Sequence, residues 1–350
     1  MSNAASKPRT RWAAAAALAA VAAAALSSGA ANAETTGELG AAATCTLATI
    51  APPSGTDSTE VLGMSANGAN LTYVAYTAAT SNTTRAFVRI NGSTTEVNLP
   101  GTGDRLYDVN NAGLAVGRGT DTAGNIAYSW KAGVQTRLST GSGLAVDVNE
   151  SGVIVGNTGP ASDSAAVYWP AGSTTPVALP VPAGADYSSA TAIDDDGTIL
   201  GFAVVGFVQK PYVWHPDGTY EELTGPATGE EDTLVATAVD GATAVGYVSG
   251  IGELAGGLRW DLTAPGTYEQ IALPLASDVN GAGTIAGNNG SDAAYETAAG
   301  AVTVLPGYNA TGYDIAEAID ESGTFLAGKV GTGSNSSGLP LFRAATWTCA

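Results

Sequence analysis

The residue types most often used in catalysis are scarce in this chain, which has one histidine and two cysteines in 350 residues. The histidine, His215, precedes Pro216-Asp217-Gly218, and a catalytic interpretation would pair it with Asp217 and a serine. It falls, however, in the turn that follows an aromatic strand. The same turn position holds Lys131, Pro170 and Asp261 elsewhere in the chain. We therefore interpret His215 as a surface turn residue, and we expect no zinc site of the histidine and cysteine type.

Two acidic clusters could attract a hard cation, namely Asp194-Asp195-Asp196 and Glu230-Glu231-Asp232. Calcium needs six or more converging oxygen ligands, and each cluster supplies two or three. Turn formation alone explains such residues, so we expect no cofactor, with a calcium ion in a central channel as the alternative. A carboxylate pair for glycoside hydrolysis cannot be selected from 32 acidic residues without geometry.

One recurring pattern must position all of these residues. In residues 147–156, an apolar residue is followed by Asn149, two polar residues, Gly152 and a second apolar run. Related copies occupy residues 64–71, 108–117, 193–201, 239–246, 278–287 and 319–328. Asn and Asp can hydrogen-bond the backbone two residues on, and Gly accepts a positive φ. Each copy therefore predicts a tight β-hairpin.

The turn residue of each copy marks a repeat. The markers are Ser65, Asn110, Asn149, Asp194, Asp240, Asn280 and Asp320, and their spacings are 45, 39, 45, 46, 40 and 40 residues. Each hairpin is followed by an aromatic strand and a short strand, as in residues 126–130 and 135–138. A period of 40–45 residues with several strands per unit is typical of a propeller blade. We predict an all-β, seven-bladed β-propeller of four-stranded antiparallel blades, with an unrelated β-sandwich as the alternative.

These repeats resemble the extracellular HAF-repeat family, whose units carry such a hairpin and then a His-Ala-Phe-like strand. The resemblance extends from residue 64 to residue 347. Arg85-Ala86-Phe87 and Ile126-Ala127-Tyr128 stand where His-Ala-Phe would, and no repeat carries the histidine. The paired glycines of kelch repeats and a recurring Trp-Asp of WD40 repeats are absent from the sequence. The resemblance implies a secreted β-propeller, and it implies no catalytic residue.

The first 33 residues have the features of a secretory signal peptide. Lys7, Arg9 and Arg11 precede an apolar run over residues 13–26, and residues 31–33 fit the small-x-small cleavage rule. The run is short for a membrane span, although a retained anchor is the alternative. We predict a secreted, extracellular protein with a flexible lead-in at residues 34–44 and a single propeller domain at residues 45–350.

The charge balance limits the partners. The chain has 13 basic and 32 acidic residues, and residues 1–33 contain three of the basic ones, so removal of the leader changes the net charge from −19 to −22. Such a surface repels nucleic-acid phosphates and anionic lipids. We therefore expect neither nucleic acid nor membrane as a partner, and we expect a monomer that binds an extracellular protein or glycan.

The two chain ends are complementary. Residues 46–53 resemble the fourth strand of a blade but precede any other strand, whereas the last repeat ends after its third strand. We predict that the N-terminal strand completes the last blade and removes an open sheet edge. Cys45 and Cys349 flank these two strands, and in an exported protein we expect them to form a disulfide. A free or metal-bound thiol pair is the alternative.

Ligands of propellers meet the face built by the loops that lead into the inner strands and by those between the second and third strands. Tyrosines among carboxylates there could stack on sugars or bind peptide side chains. The candidate ligand-binding residues are Asp104, Tyr107, Asp186, Tyr187, Glu230, Glu231, Asp232, Tyr308 and Tyr313. No catalytic set is evident, so a secreted, non-catalytic binding or scaffold protein is the favoured function. The alternative is a polysaccharide-active hydrolase or lyase with carboxylates at the channel mouth.

Overall fold

The computed structural model describes residues 44–80, 83–122, 124–226, 232–250, 256–264, 266–309 and 313–350. Over these residues the chain forms 28 β-strands and a single 3₁₀ turn, Ala78–Thr80. The strands assemble into seven four-stranded antiparallel sheets, which are the blades of a β-propeller. The fold prediction is therefore confirmed. The predicted signal peptide and residues 34–43 of the predicted lead-in lie outside the described residues.

In blades 1 to 3 the strands follow one another from the channel to the rim. Blade 1 comprises β2 (Ser58–Met64), β3 (Asn70–Tyr76), β4 (Thr84–Ile90) and β5 (Ser93–Val97). Blade 2 comprises β6 (Thr102–Val109), β7 (Ala115–Asp121), β8 (Gly124–Lys131) and β9 (Val134–Arg137). Blade 3 comprises β10 (Gly143–Val148), β11 (Ile154–Thr158), β12 (Ala165–Trp169) and β13 (Val177–Ala178).

Blades 4 to 6 have the same order, and blade 7 takes its outer strand from the N-terminus. Blade 4 comprises β14 (Ala185–Ile193), β15 (Ile199–Val205), β16 (Val208–Trp214) and β17 (Tyr220–Glu222). Blade 5 comprises β18 (Thr233–Asp240), β19 (Thr243–Ser249), β20 (Gly256–Asp261) and β21 (Glu269–Gln270). Blade 6 comprises β22 (Leu275–Val279), β23 (Ile285–Asn288), β24 (Ala293–Glu296) and β25 (Val302–Val304). Blade 7 comprises β26 (Ile315–Ile319), β27 (Phe325–Ser334), β28 (Pro340–Cys349) and β1 (Cys45–Ile50).

The ring closes as predicted. Strand β1 pairs antiparallel with β28, from Cys45 opposite Cys349 to Ile50 opposite Ala344. The two cysteines form a disulfide with their Cα atoms 4.0 Å apart. The inner strand of each blade contacts that of the next, and β26 contacts β2. The apolar core lies between adjacent blades, as where Val213 and Leu223 of blade 4 pack with Leu258 and Trp260 of blade 5.

The inner strand of every blade has a β-bulge close to its hairpin turn, as between Ala145 and Asp147. At the bulge, the backbone of the inner strand lies close to the second strand of the same blade. The last glycine of the repeat occupies this point of the second strand. A Cβ atom on Gly156 would overlap the carbonyl oxygen of Leu144. The same overlap would arise at Gly117, Gly201, Gly246, Gly287 and Gly328. The last glycine of the repeat is therefore required by this close backbone approach.

The marker asparagines connect the blades as well as shaping their own turns. The side-chain oxygen of Asn110 accepts a hydrogen bond from the backbone N–H of Leu114 at 3.0 Å, which closes its own turn. Its Nδ2 donates to the carbonyl oxygen of Asn149 in the next blade, also at 3.0 Å. The same link joins Asn149 to Asp194 and Asn280 to Asp320. An amide can form both bonds because it carries an acceptor and a donor.

Buried tryptophans of the third strands connect the blades near their outer strands. Trp169 donates from Nε1 to the carbonyl oxygen of Leu138 in the preceding blade at 2.9 Å. Trp214, Trp260 and Trp347 make the equivalent bond to the blade before them. In blade 6 this strand position holds Glu296, whose Oε2 accepts from the N–H groups of Ala272 and Leu273. Blade 6 thus keeps the connection with the donor and acceptor exchanged.

Ring closure predicts the effect of two N-terminal truncations. Removal of residues 34–44 should leave the melting temperature nearly unchanged, because β1 begins at Cys45 and is retained. Removal of residues 34–53 deletes β1, exposes the edge of β28 and should cause aggregation or unfolding. Thermal unfolding and light scattering of the two truncated proteins test this. A soluble, unchanged protein lacking residues 34–53 would contradict it.

The disulfide should contribute stability without determining the fold. The double variant Cys45→Ser, Cys349→Ser opens a loop with a sequence separation of 304 residues. The chain-entropy argument gives about 5–6 kcal/mol as an upper value for such a loop. We expect a lower melting temperature with an unchanged far-ultraviolet circular dichroism spectrum. A spectrum without β-sheet signal at 20 °C would show that closure is required for the fold itself.

The link between the hairpin turns predicts an asymmetric effect of asparagine-to-aspartate changes. Asn110→Asp keeps the acceptor for Leu114 but replaces the donor that contacts the carbonyl oxygen of Asn149. We expect a loss of about 1–3 kcal/mol in the free energy of unfolding, measured in urea. Asn98→Asp, on an exposed side chain, is the matched control and should have little effect. Equal losses in the two variants would contradict the proposed role.

Candidate functional site

The propeller has two faces of different character. The inner strands end at the marker turns on one face, which we call the hairpin-turn face. They begin on the other, the loop face, which also carries the turns between second and third strands. The predicted ligand-binding residues are distributed there over four blades. Asp104 and Tyr107 lie on β6, Asp186 and Tyr187 on β14, Asp232 immediately before β18, and Tyr308 and Tyr313 before β26. Glu230 and Glu231 lie outside the described residues.

Several of these residues contact their own blade or a neighbouring one. Asp104 is buried, and its Oδ2 accepts from the backbone N–H of Leu99 at 3.0 Å. Burial raises the pKa of Asp104 to about 6. The hydroxyl of Tyr107 is 2.7 Å from Nε of Arg118. Asp104 thus has a structural role in the loop leading into blade 2.

The tyrosines of blades 4 and 7 are aromatic contact points. The ring of Tyr187 packs edge-on against Phe202, with the ring centroids 6.3 Å apart. The guanidinium of Arg343 lies 5.3 Å from the ring centroid of Tyr308, which is 48% exposed. The hydroxyl pKa of Tyr187 is raised by burial and by the adjacent Asp186. These residues form separate surface features on two blades.

A cluster of charged side chains and tyrosines lies where blade 7 meets blade 1. We call it the seam cluster, and it consists of Glu60, Tyr76, Tyr313, Glu317 and Lys329. The ammonium of Lys329 lies 3.6 Å from Oε2 of Glu60 and 3.9 Å from Oε1 of Glu317. The hydroxyl of Tyr76 donates to Oε1 of Glu60. Two carboxylates thus share one lysine at the junction of the first and last blades.

The electrostatics of the seam cluster follow from its burial. Burial raises the pKa of Glu317, and the positive charge of Lys329 opposes that increase. Burial favours a neutral Lys329, but the carboxylates of Glu60 and Glu317 outweigh it and raise the lysine pKa. The pKa of Tyr247, on blade 5, is raised by burial and by the nearby Glu317 and Tyr313. The pKa values of Glu317 and Lys329 are thus both raised at the junction of the two blades.

Of the seam cluster, sequence analysis identified Tyr313 alone. Lys329 follows the last glycine of its repeat, and the strand register aligns it with Val74, Arg118, Asn157, Phe202, Tyr247 and Asn288. The residue type varies at this position while the glycine before it recurs in six repeats. A comparison of the repeats could have shown this variation, but it could not have shown that Glu60, from the other end of the chain, is the partner.

Aspartates line the channel close to the hairpin-turn face. Asp108, Asp147 and Asp278 occupy the bulge position in three blades. Oδ2 of Asp147 accepts from the N–H of Ile193 at 2.7 Å, and Oδ2 of Asp278 accepts from Ile319 at 2.9 Å. Each aspartate therefore caps the backbone of the next blade. This bonding explains why a carboxylate is present at these positions.

The pKa values of these three aspartates and of a fourth, Asp240, are raised. Burial, then the adjacent Asp147 carboxyl, raises the pKa of Asp108. Burial is also the main cause for Asp278 and Asp240, whose pKa values are raised to about 7. Among the described residues, no group of three or more His, Cys, Asp or Glu side chains is arranged to hold a metal ion.

An open groove of about 510 Å³ lies on the loop face between blades 4 and 5. One wall is the turn between β15 and β16 with the start of β16, and the other consists of residues 222–226 and 232–234. Phe207 stands at the tip of the first wall and is 97% exposed. Its φ of 72° lies in the left-handed region, which a bulky residue rarely adopts. The groove thus combines an aromatic tip with an apolar and charged lining.

The only histidine is on the other face. His215 lies between β16 and β17, and its backbone N–H donates to the carbonyl oxygen of Thr219. Its Nε2 lies 3.3 Å from Oε1 of Glu221. The placement agrees with the turn position expected from the sequence.

Over the described ranges, no helix is long and apolar enough to span a membrane.

Comparison with known proteins supports the fold. No protein-family model matches the sequence, and none of the curated proteins compared with it matches. A streptogramin B lyase structure aligns with a TM-score of 0.57 at 12% identity, over 87% of this chain and 98% of that one. Virginiamycin B lyase from Staphylococcus aureus aligns with a TM-score of 0.56 at 10% identity, over 87% of this chain and 99% of that one. A catalytically inactive His-to-Ala variant of the latter enzyme, with quinupristin, aligns with a TM-score of 0.55 at 12% identity. The alignment covers 87% of this chain and 99% of that one. At such identities the likeness is one of β-propeller fold.

The raised aspartate pKa values predict the pH dependence of stability. The pKa values of Asp240 and Asp278 are raised to about 7 and that of Asp104 to about 6, whereas Asp in an unfolded chain titrates at about 4. These three groups therefore bind a proton more tightly in the folded chain than in the unfolded chain. Their contribution to stability is fully present below about pH 4 and is lost as the pH rises through 6 to 7. We expect a higher melting temperature at pH 5 than at pH 8. Asp278→Asn should reduce this difference, whereas Asp217→Asn, on an exposed turn, should not. A melting temperature that rises from pH 5 to pH 8 would contradict the assignment.

Proposed function

We propose that this chain is a secreted, non-catalytic β-propeller that binds an extracellular protein or glycan through its loop face. The observation that carries the proposal is the exposure of large apolar side chains on that face. Phe207, Val208 and Leu339 lie at turns between second and third strands, and Tyr308 lies in a loop leading into an inner strand; each is more than a third exposed. Exposed aromatic residues beside a groove are common features of binding surfaces.

The opposite face is less available for ligands. Its marker turns use their side-chain amides and backbone N–H groups in bonds to the next blade. Besides the asparagine links, the N–H of Asn111 donates to the Glu150 carboxylate, and that of Glu150 to Oδ1 of Asp195. Polar groups already used in this way have less capacity to bind a partner. The difference between the faces therefore supports ligand binding on the loop face.

Secretion is part of the proposal and has two supports. The first 33 residues have the sequence features of a signal peptide, and disulfides such as that between Cys45 and Cys349 persist in oxidising compartments. Recovery of the protein from the culture medium, with an N-terminus at Glu34, would test this part. Retention of the uncleaved protein inside the cell would contradict it.

The structural likeness to streptogramin lyases concerns the fold and gives no support for their chemistry in this chain. A His-to-Ala change yields a catalytically inactive form of the virginiamycin enzyme. The only histidine of this chain, His215, lies on the hairpin-turn face and contacts Glu221. A histidine-dependent reaction on the loop face therefore has no support here. His215→Ala should leave ligand binding unchanged, which provides a negative control.

The binding proposal is tested with glycan arrays and affinity capture from extracellular fractions. The double variant Phe207→Ala, Tyr308→Ala should weaken binding at least 10-fold. Val134→Ala, Val304→Ala removes exposed apolar side chains from outer strands and is the matched control. Equal binding by both double variants would contradict placement on the loop face. Turnover of a polysaccharide by the wild-type protein would contradict the non-catalytic part of the proposal.

The seam cluster favours a second candidate, a hydrolase or lyase acting on polysaccharide. Glu317, with a raised pKa, and Glu60, bonded to Tyr76 and close to Lys329, resemble a pair of carboxyl groups in different electrostatic environments. Such pairs can divide the acid and base roles of glycoside cleavage. This candidate requires degradation of a polysaccharide by the wild-type protein and its loss in Glu317→Gln. Absence of any turnover on a broad polysaccharide panel would contradict this candidate.

A further inference from the structure

We propose that the groove between blades 4 and 5 is a binding subsite for an uncharged glycan chain, with Phe207 as its stacking platform. This inference rests on the proposed binding function and specifies its site and ligand class. The groove measures about 510 Å³, within the range that holds small ligands. It is also open along the surface, which suits a segment of a longer chain.

The backbone at the tip of the groove points to selection for the aromatic side chain. The two central residues of the β15–β16 turn, Gly206 and Phe207, have φ values of 59° and 72°. A two-residue turn of this kind favours Asn or Gly at both positions. Phe207 gains little from packing, since 97% of it is exposed. An unfavourable conformation with no compensating packing suggests that the ring has a function.

The groove lining includes a lysine–glutamate ion pair and one further carboxylate, Asp232. The ammonium of Lys210 lies 2.8 and 2.9 Å from the two carboxylate oxygens of Glu222. The hydroxyl of Tyr212 lies 3.3 Å from Oε2 of Glu222. The lysine and the glutamate neutralise each other, yet both remain partly exposed to hydrogen-bond a ligand.

Charge then selects among the ligands that an aromatic platform could bind. The chain carries 32 acidic and 13 basic residues, so its field disfavours anionic polysaccharides. An uncharged glycan presents C–H faces to an aromatic ring and hydroxyl groups to the Lys210–Glu222 pair. Pro211, Leu223 and Leu234 add apolar side chains to the groove lining. These features together favour a neutral sugar chain over an acidic one.

The test uses one substitution that separates function from folding. Phe207→Asn removes the ring but suits the left-handed turn, so the melting temperature should stay unchanged or rise. Binding should weaken at least 10-fold, whereas Phe207→Trp should retain it. Ala132→Asn, at another left-handed position (φ 49°) on the hairpin-turn face, is the matched control and should not alter binding.

The probes are cello-, xylo-, manno- and chito-oligosaccharides, with alginate and pectin oligosaccharides as anionic comparisons. Affinities are measured by isothermal titration calorimetry on the full mature chain. Binding of an uncharged oligosaccharide that is lost in Phe207→Asn supports the proposal. Equal binding by Phe207→Asn and wild type, or binding confined to the anionic chains, overturns the subsite but leaves loop-face binding in place. Capture of an extracellular protein without any glycan binding does the same. Absence of every kind of binding overturns this inference and the proposed function together.

Discussion

The hydrogen bond from a turn asparagine to the next blade is the interaction on which the regular stacking of the blades depends. Asn110 and Asn149 each accept a bond within their own turn and donate one to the following turn. Where the marker is Asp194, no amide donor exists, and its carboxylate instead accepts from the N–H of Gly241 in blade 5. These bonds fix the turns of blades 2 to 5 relative to one another, and the bond from Asn280 to Asp320 does the same for blades 6 and 7.

This fixed scaffold separates two kinds of sequence position. The turn asparagine, the bulge and the last glycine are constrained by backbone contacts, and a change there alters how blades stack. The residue after the glycine points away from that contact, so Lys329, Tyr247 and Arg118 can occupy equivalent positions. The residues that differ in chemical type between blades therefore lie at a few positions that the repeat does not constrain. The seam cluster and the Phe207 groove are both of this kind.

Closure places the most distant parts of the chain in contact. Strand β1 completes blade 7, and the disulfide links Cys45 to Cys349 at the same edge. The same closure brings Glu60 to Lys329 and lets the Thr59 hydroxyl accept a bond from the N–H of Ala344. Ring closure is thus both a stabilising device and the step that assembles the seam cluster.

The sequence alone determined the blade number and the order of strands, because these follow from local turn chemistry repeated at a regular period. The closing strand and the disulfide followed from the complementary chain ends, each of which has one cysteine. It also predicted the turn position of His215. Sequence reasoning did not find the donor role of Asn110, since a hydrogen bond to the next blade depends on blade stacking. Nor did it find the pairing of Lys329 with Glu60, because residues 269 positions apart meet only when the ring closes. The left-handed Phe207 was equally hidden, because a residue's φ at a tip depends on the strand register on both sides of the turn. Period and turn type are local properties of a chain, whereas charge pairing, burial and shifted pKa values are properties of the closed ring.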